Sequence, residues 1–134
     1  MTTVVLDASA MLAFLHGEHG SERVLSLLVS DTVHCVAHAM NVCEVFYDLL
    51  RRAGDGVAES AIQRMRDAGL TVRSDMDEAF WKSVAQRKAK GRLSLADCCG
   101  LSLAEKLGGE FYTADHHELD KMTASESVKI VFIR

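Results

Sequence analysis

The chain has 134 residues and a formal net charge of −4, because 15 Lys and Arg residues face 19 Asp and Glu residues. Its length is typical of one domain over residues 1–134, and its 49% hydrophobic and 25% charged residues exclude a disordered tail and a collagen-like fibre. The acidic balance argues against a protein that coats nucleic acid through bulk positive charge. It is compatible with a nuclease whose carboxylates gather around metal ions.

The sequence shows neither a membrane-spanning segment nor a targeting signal. Its uncharged apolar stretches stay far below the ~20 residues that span a bilayer. The first apolar run is interrupted by Asp7 and has no basic segment before it. The four cysteines lack C-x-x-C spacing, which favours reduced thiols over a disulfide framework. We therefore expect a cytoplasmic protein without a membrane partner.

Five short apolar segments predict β-strands. They cover residues 3–6, 33–37, 70–73, 111–114 and 128–133. The first segment is apolar without interruption, which is typical of a strand buried on both faces of a parallel sheet. The last segment has an alternating pattern, which favours a place at the edge of the sheet.

Helical patterns fill the intervals between these strands. They cover residues 10–15, 22–29, 41–52 and 57–68, then a helix to about residue 90 and a last helix that ends at Gly108 and Gly109. Two capping-box motifs open the last two helices: Ser74-x-x-Asp77 and Ser94-x-x-Asp97. The last helix is apolar on nearly all sides, so we expect it to be central.

The alternation of strands and helices predicts an α/β fold with a central, mostly parallel five-stranded sheet flanked by helices. In such sheets, ligands bind beyond the carboxyl ends of the strands. Asp7 and Asp115 each follow a predicted strand directly. Glu44 and Asp97 each lie in the first turns of a predicted helix. All four carboxylates are therefore expected at one edge of the sheet.

Carboxylates gathered in one cleft repel each other. Two unit charges about 4 Å apart cost roughly 4 kcal/mol at an effective dielectric constant of 20. Raised pKa values relieve this repulsion, and so does a hard divalent cation with oxygen ligands. Two such ions can activate an attacking water and stabilise a leaving oxygen.

Each acidic residue also has a purely structural interpretation. Asp7 and Asp97 are typical of residues that cap a helix and complement its dipole. Glu44 lies nearly opposite the apolar stripe of its helix, as a solvated glutamate does. It shares that polar face with Asn41 and Asp48, so the helical periodicity does not choose among the three.

In their order along the chain, these motifs resemble a PIN domain. The resemblance rests on Val4-Val5-Leu6-Asp7-Ala8-Ser9-Ala10, Asn41-x-x-Glu44, Ser94-x-x-Asp97 and Thr113-x-Asp115, and it covers essentially the whole chain. The short, single-domain form is similar to a VapC-type toxin of a toxin–antitoxin pair. Glu118 departs from the pattern, because many members carry another acid or a neighbouring aromatic residue there.

The resemblance implies a Mg²⁺- or Mn²⁺-dependent endoribonuclease. Asp7, Glu44, Asp97 and Asp115 match the acidic positions of the family, whose role is to hold one or two metal ions that activate water for attack on an RNA phosphodiester. Ser9 and Thr113 match small hydroxyl residues near that site, with turn hydrogen bonding as the alternative. The family also implies an RNA substrate, a homodimer and a cognate antitoxin whose basic residue enters the acidic site.

A basic run precedes the last predicted helix. It consists of Arg87, Lys88, Lys90 and Arg92. A basic segment beside an acidic metal site is suited to holding flanking phosphates. The alternative is a solvated helix end whose cations complement the helix dipole.

Other functions compete with a nuclease. A receiver domain needs a second acid after the first strand and a lysine after a late strand, and neither is evident. A haloacid-dehalogenase-type phosphatase needs Asp two residues after its nucleophile, where this chain has Ser9. A catalytically inactive PIN-like module that only binds a protein is the remaining alternative, and the complete set of four acids argues against it.

Overall fold

Five parallel strands form one sheet at the centre of the molecule. A computed structural model describes residues 1–134, and its strands are β1 (Thr2–Leu6), β2 (Val33–His38), β3 (Thr71–Arg73), β4 (Glu110–Thr113) and β5 (Ile130–Phe132). Their order across the sheet is β3-β2-β1-β4-β5, and every neighbouring pair is parallel. The predicted five-stranded α/β fold is confirmed, with β5 at an edge. The sheet is parallel throughout rather than mostly parallel, because every connection is a crossover of the kind that parallel strands require.

Six α-helices surround this sheet. They are α1 (Ala8–Leu15), α2 (Ser21–Val29), α3 (Ala39–Ala53), α4 (Asp55–Ala68), α5 (Glu78–Lys90) and α6 (Leu95–Leu107), and a 3₁₀ turn follows at Asp120–Met122. None of the helices combines the length and the apolar character that crossing a membrane requires.

The sheet separates two hydrophobic cores. Alternate side chains of a strand point to opposite faces, so Val4 and Leu6 join the core under α1 to α4, whereas Val5 joins the core under α5 and α6. The α6 helix is buried along most of its length, as its apolar pattern predicts. Gly100 lets α6 approach β4 closely, because a Cβ atom there would lie 2.6 Å from Cε1 of Phe111. This packing holds α6 firmly against the sheet.

One predicted helix start is wrong. The α5 helix begins after Asp77, whose carboxylate accepts the backbone N–H of Phe80 at 2.9 Å, so Ser74 does not cap this helix. The α6 helix begins as predicted, because Ser94 Oγ accepts the backbone N–H of Asp97 at 3.0 Å. Asp77 is itself a preferred capping residue, and it lies nearer to the first helical residue than Ser74 does.

The α3 helix has an unexpected cap. The buried ring of His38 accepts the backbone N–H of Met40 at Nδ1, at 3.0 Å, and its Nε2 lies 2.8 Å from the carbonyl oxygen of Asp75. This pair of bonds requires the tautomer that carries its proton on Nε2. His38 therefore ties the start of α3 to the segment before α5.

Candidate active site

The carboxyl ends of β1 and β4 form the base of an acidic pocket. Leu6 pairs with Tyr112 in the sheet, so the residues that follow them, Asp7 and Thr113, lie side by side. The pocket above this edge has a volume of about 380 Å³. Its walls are Asp7, Ala8, Ser9, Leu12, Glu44, Arg92, Ser94, Asp97, Asp115 and Glu118. The structure thus brings all four predicted acidic residues to one pocket, which we call the acidic pocket.

Asp7 is the most constrained acid of the acidic pocket. The residue is only 2% exposed. Its Oδ1 accepts the backbone N–H of Ala10 at 2.9 Å, which caps α1, and accepts the hydroxyl of Ser9 at 2.7 Å. Its Oδ2 accepts the hydroxyl of Thr113. The capping interpretation and the pocket interpretation of Asp7 therefore both hold in the structure.

Ser9 and Thr113 connect the ends of β1 and β4. While donating to Asp7, Ser9 Oγ accepts the backbone N–H of Ala114 at 2.9 Å, and Thr113 Oγ1 accepts that of Asp115 at 3.0 Å. Thr113, an expected substrate contact, is fully buried, donates its hydroxyl to Asp7 and is not part of the pocket wall, so in the structure it positions Asp7. Ser9 is half-buried and lines the acidic pocket.

The structure separates the three polar residues of α3. Asn41 is fully buried, and its Nδ2 donates to the carbonyl oxygen of Ala96 at 3.1 Å, which joins α3 to the first turn of α6. Glu44, one turn later, lies in the pocket wall. Asp48, a further turn along, forms an ion pair with Arg52 at 3.1 Å and is not part of the wall. Only Glu44 of the three therefore reaches the acidic pocket.

Two further acids come from the loop after β4. Asp115 is half-buried, and its Oδ1 accepts the backbone N–H of His117 at 2.9 Å, a local turn that fixes its carboxylate. Glu118 also lines the acidic pocket, and its Oε1 lies 3.4 Å from Nε2 of the exposed His117. The pocket therefore holds five carboxylates, one more than the four assigned from the sequence.

Burial and mutual repulsion raise the pKa values of the central acids. Burial raises the pKa of Asp7 to about 7, and the charge of Asp97 adds to the effect. Burial also raises the pKa of Glu44, again with a contribution from Asp97. The pKa of Asp97 is raised by burial and by the charge of Asp115. Asp97 thus takes part in each of these repulsions. Ionising all the acids of this pocket together costs free energy.

The acidic pocket fits a hydrated divalent cation. Its donors are carboxylate oxygens, which Mg²⁺ and Mn²⁺ prefer. No group of three or more His, Cys, Asp or Glu side chains lies close enough together to coordinate an ion directly. Mg²⁺ usually keeps several waters and binds through one or two carboxylates, so a pocket of about 380 Å³ with separated acids suits it. Asp7, Glu44, Asp97 and Asp115, the four acids expected from the sequence to hold a metal ion, all lie in the wall of this pocket.

The four basic residues before α6 do not form one binding surface in the structure. Arg87 is only 11% exposed in its side chain and pairs with Glu126 at 2.7 Å and with Glu105 at 2.9 Å. Lys88 donates to the carbonyl oxygen of Leu93 at 2.8 Å. Lys90 is exposed and lines no part of the acidic pocket. Of the four predicted phosphate contacts, the structure brings only Arg92 to the pocket wall.

Comparison with known proteins supplies the family context. A family model described as "PIN domain" matches residues 4–124. The DNA-bound VapBC structure from Salmonella typhimurium matches with a TM-score of 0.76, 13% identity and 100% coverage of both chains. The structure of VapBC2 from Rickettsia felis bound to a promoter DNA fragment matches with a TM-score of 0.75, 10% identity and 98% coverage of each chain.

A third similar structure is VapC20 from Mycobacterium tuberculosis, described as a Sarcin-Ricin loop cleaving toxin. It matches with a TM-score of 0.66 and 18% identity, over 85% of this chain and 91% of that chain. At these identities the likeness establishes a shared fold. No curated protein sequence matches the chain at a significant level.

Proposed function

The chain belongs to the PIN domain family, and from that premise we propose that it is a divalent-metal-dependent endoribonuclease that hydrolyses RNA phosphodiester bonds. The observation that carries this proposal is the acidic pocket, in which five carboxylates meet at the carboxyl edge of the sheet and form no ion pair with a Lys or Arg. A divalent cation relieves their repulsion and at the same time makes the pocket accept a phosphate.

The residues of the pocket have distinct roles in this proposal. When bound, a divalent cation supplies an activated water and neutralises charge on the phosphate. Asp7, Asp97 and Asp115 would hold the cation, and Glu44 on α3 would serve as a further ligand or as an acceptor for the proton of the attacking water. Ser9 and Thr113 keep both oxygens of Asp7 in place through their hydroxyl groups. Arg92 is the only Lys or Arg residue in the wall.

We further propose that the chain is the toxin of a toxin–antitoxin pair and acts in the cytoplasm as a homodimer. Support comes from the similar structures that are described as VapBC or VapC proteins and from the match of the PIN model to nearly the whole chain. An acidic pocket is complementary to a basic side chain, so a cognate antitoxin inhibits by placing an Arg or Lys beside Asp97. Coexpression with the neighbouring open reading frame, followed by isolation of a complex, tests this partner.

The nuclease proposal is tested by incubating the purified chain with total RNA and with Mg²⁺, Mn²⁺ or EDTA, and then sequencing the new 5′ ends. We expect cleavage at defined positions that requires the divalent ion. Mn²⁺ binding measured in parallel separates two failures. Metal binding without cleavage of any RNA supports the alternative of an inactive binding module, whereas loss of both contradicts the metal site itself.

A matched pair of variants on α3 tests which acid belongs to the site. Glu44→Gln removes a charge from the pocket wall, whereas Asp48→Asn removes one from the same helix outside it. We expect Glu44→Gln to reduce the rate of cleavage at least about tenfold, as is typical when a residue that supports a metal site is changed. Asp48→Asn should leave the rate nearly unchanged. A larger effect of Asp48→Asn contradicts the assignment of Glu44.

A further inference from the structure

A second, smaller pocket adjoins the acidic pocket and has two cations and one carboxylate in its wall. Its volume is about 150 Å³, and its walls are Arg92, Leu93, Glu118, Lys121 and Met122. Arg92 and Glu118 also line the acidic pocket, so the two pockets are neighbours with a common wall. We call the smaller one the Arg92–Lys121 pocket.

Both cations of this pocket are free of internal partners. The side chains of Arg92 and Lys121 form no hydrogen bond, ion pair or cation–π contact within the chain, although Glu118 lines the same pocket. Arg87 and Lys88, from the same basic run as Arg92, are both occupied by internal acceptors. Arg92 and Lys121 are therefore available to an external anion and, unlike the exposed Lys90, they line a pocket that adjoins the acidic pocket.

The backbone beside each cation is anchored. Leu93, next to Arg92, is 1% exposed, and Leu119, two residues before Lys121, is fully buried. The turn that carries Lys121 is further held by Asp120, whose carboxylate lies 2.9 Å from Nδ1 of His116. The backbone that carries the two cations is therefore already ordered, which removes the cost of ordering a loop when a ligand binds.

We propose that the Arg92–Lys121 pocket binds the nucleotide next to the scissile phosphate of a single-stranded RNA. The two cations hold the phosphate of that nucleotide, and its base packs on the partly exposed side chain of Met122. The shared wall puts this nucleotide directly beside the acidic pocket. This inference rests on the proposed nuclease function and names the part of the surface that receives its substrate.

Binding of a fluorescein-labelled single-stranded RNA, measured by anisotropy in Mg²⁺ over a salt series, tests the subsite. An Asp7→Asn background prevents cleavage. One neutralised phosphate contributes about 0.7 to the logarithmic salt slope, so Arg92→Ala combined with Lys121→Ala should lower the slope by about 0.7 and weaken binding about fourfold at 0.15 M salt. Met122→Ala should weaken binding without changing the slope, because its contact is apolar.

Two control variants remove the same charge elsewhere. Lys90→Ala changes an exposed lysine two residues before Arg92, and Arg66→Ala changes an exposed arginine on α4. We expect both variants to keep the salt slope unchanged and to bind RNA with an affinity within twofold of the parent protein. An equal effect of Lys90→Ala, an unchanged slope in the Arg92/Lys121 double variant, or equally tight binding of a polyglutamate peptide would each overturn the subsite.

The failure of this inference is distinguishable from failure of the proposed function. If the chain with native Asp7 cleaves RNA in Mg²⁺ and the double variant cleaves with an unchanged KM, the nuclease stands and the subsite falls. If RNA is not cleaved at all but its binding depends on Arg92 and Lys121 as expected, the subsite stands and the nuclease falls. With native Asp7, the Arg92/Lys121 double variant should bind Mn²⁺ as tightly as the native chain does, because a protonated Lys or Arg is not a metal ligand.

Discussion

Two groups of carboxylates in this molecule have opposite electrostatic settings. Glu105 and Glu126 surround the nearly buried Arg87, and this cation lowers the pKa of Glu105 through a hydrogen bond. Asp7 and Asp97 lie in the acidic pocket without a paired cation, and burial raises the pKa of each. A cluster of acids therefore indicates a cation site only where the chain itself does not provide the cation.

The largest expected effect comes from removing an acid of the acidic pocket, whose carboxylates have no paired cation. Asp97→Asn should lower divalent-dependent RNA cleavage by at least about a hundredfold, since changes in residues that merely support a metal ligand already cost roughly 10- to 100-fold. The matched control is Glu105→Gln, which removes a carboxylate from the group that is paired with Arg87 and should leave the rate unchanged. The measurement is the initial rate of RNA cleavage at saturating Mg²⁺. Equal rates for Asp97→Asn and the native chain would contradict the role of Asp97.

The pH dependence of stability sharpens the same contrast. The pKa of Asp7 is raised from 3.8 to about 7 in the folded protein, so the unfolded chain loses this proton first as the pH rises. The free energy of unfolding of the metal-free protein should therefore fall between about pH 4 and pH 7 and then level off with respect to this group. A shift of about three pKa units corresponds to up to about 4 kcal/mol.

Asp7→Asn should remove most of this decline and stabilise the metal-free protein at pH 8. The amide still accepts the Ala10 N–H, and the Thr113 hydroxyl can turn toward Ser9, 3.2 Å away. Mg²⁺ should stabilise the native chain at pH 8 and have little effect on the variant. Urea unfolding at several pH values measures both results. If the free energy of unfolding of the two proteins depends on pH in the same way, the raised pKa of Asp7 is contradicted.

Removing the cation from the group of Arg87, Glu105 and Glu126 should have the reverse effect on stability. Arg87→Met leaves Glu126, whose side chain is only 8% exposed, without its partner. Breaking a buried ion pair in this way costs about 3 kcal/mol. Arg87→Met combined with Glu126→Gln should recover part of the loss, because no unpaired charge remains. Urea midpoints test both variants, and an Arg87→Met variant as stable as the native chain would show that Arg87 does not compensate Glu126.

The smallest expected effect concerns the contact that joins α3 to α6 behind the acidic pocket. Asn41→Leu removes the bond to the Ala96 carbonyl and should change the free energy of unfolding by less than about 1.5 kcal/mol. Because this bond joins the two helices that carry Glu44 and Asp97, we expect kcat to fall about tenfold while KM stays constant. A variant with full kcat would mean that packing alone positions the two helices.

Much of the fold was predictable because its signals are local. Each strand is a short apolar run and each helix has a periodic pattern, so five strands and six helices were expected and found. The start of α5 was misassigned because Ser74 and Asp77 are both good capping residues, and the choice depends on where the chain leaves β3. The His38 cap of α3 was not foreseen, since histidine carries no strong capping preference.

The sequence by itself determined that acidic residues follow strands and open helices, and that a parallel sheet collects such positions at one edge. Only the tertiary structure decided which side chains reach the pocket. Helical periodicity gives angles around a helix axis but not the position of neighbouring elements, so Glu44 could not be distinguished from Asn41 and Asp48. The fate of Arg87 depended on Glu126, which lies 39 residues away in the chain. Charge compensation is a property of side chains brought together in space, and for that reason the unpaired Arg92 and Lys121 became visible only in the folded molecule.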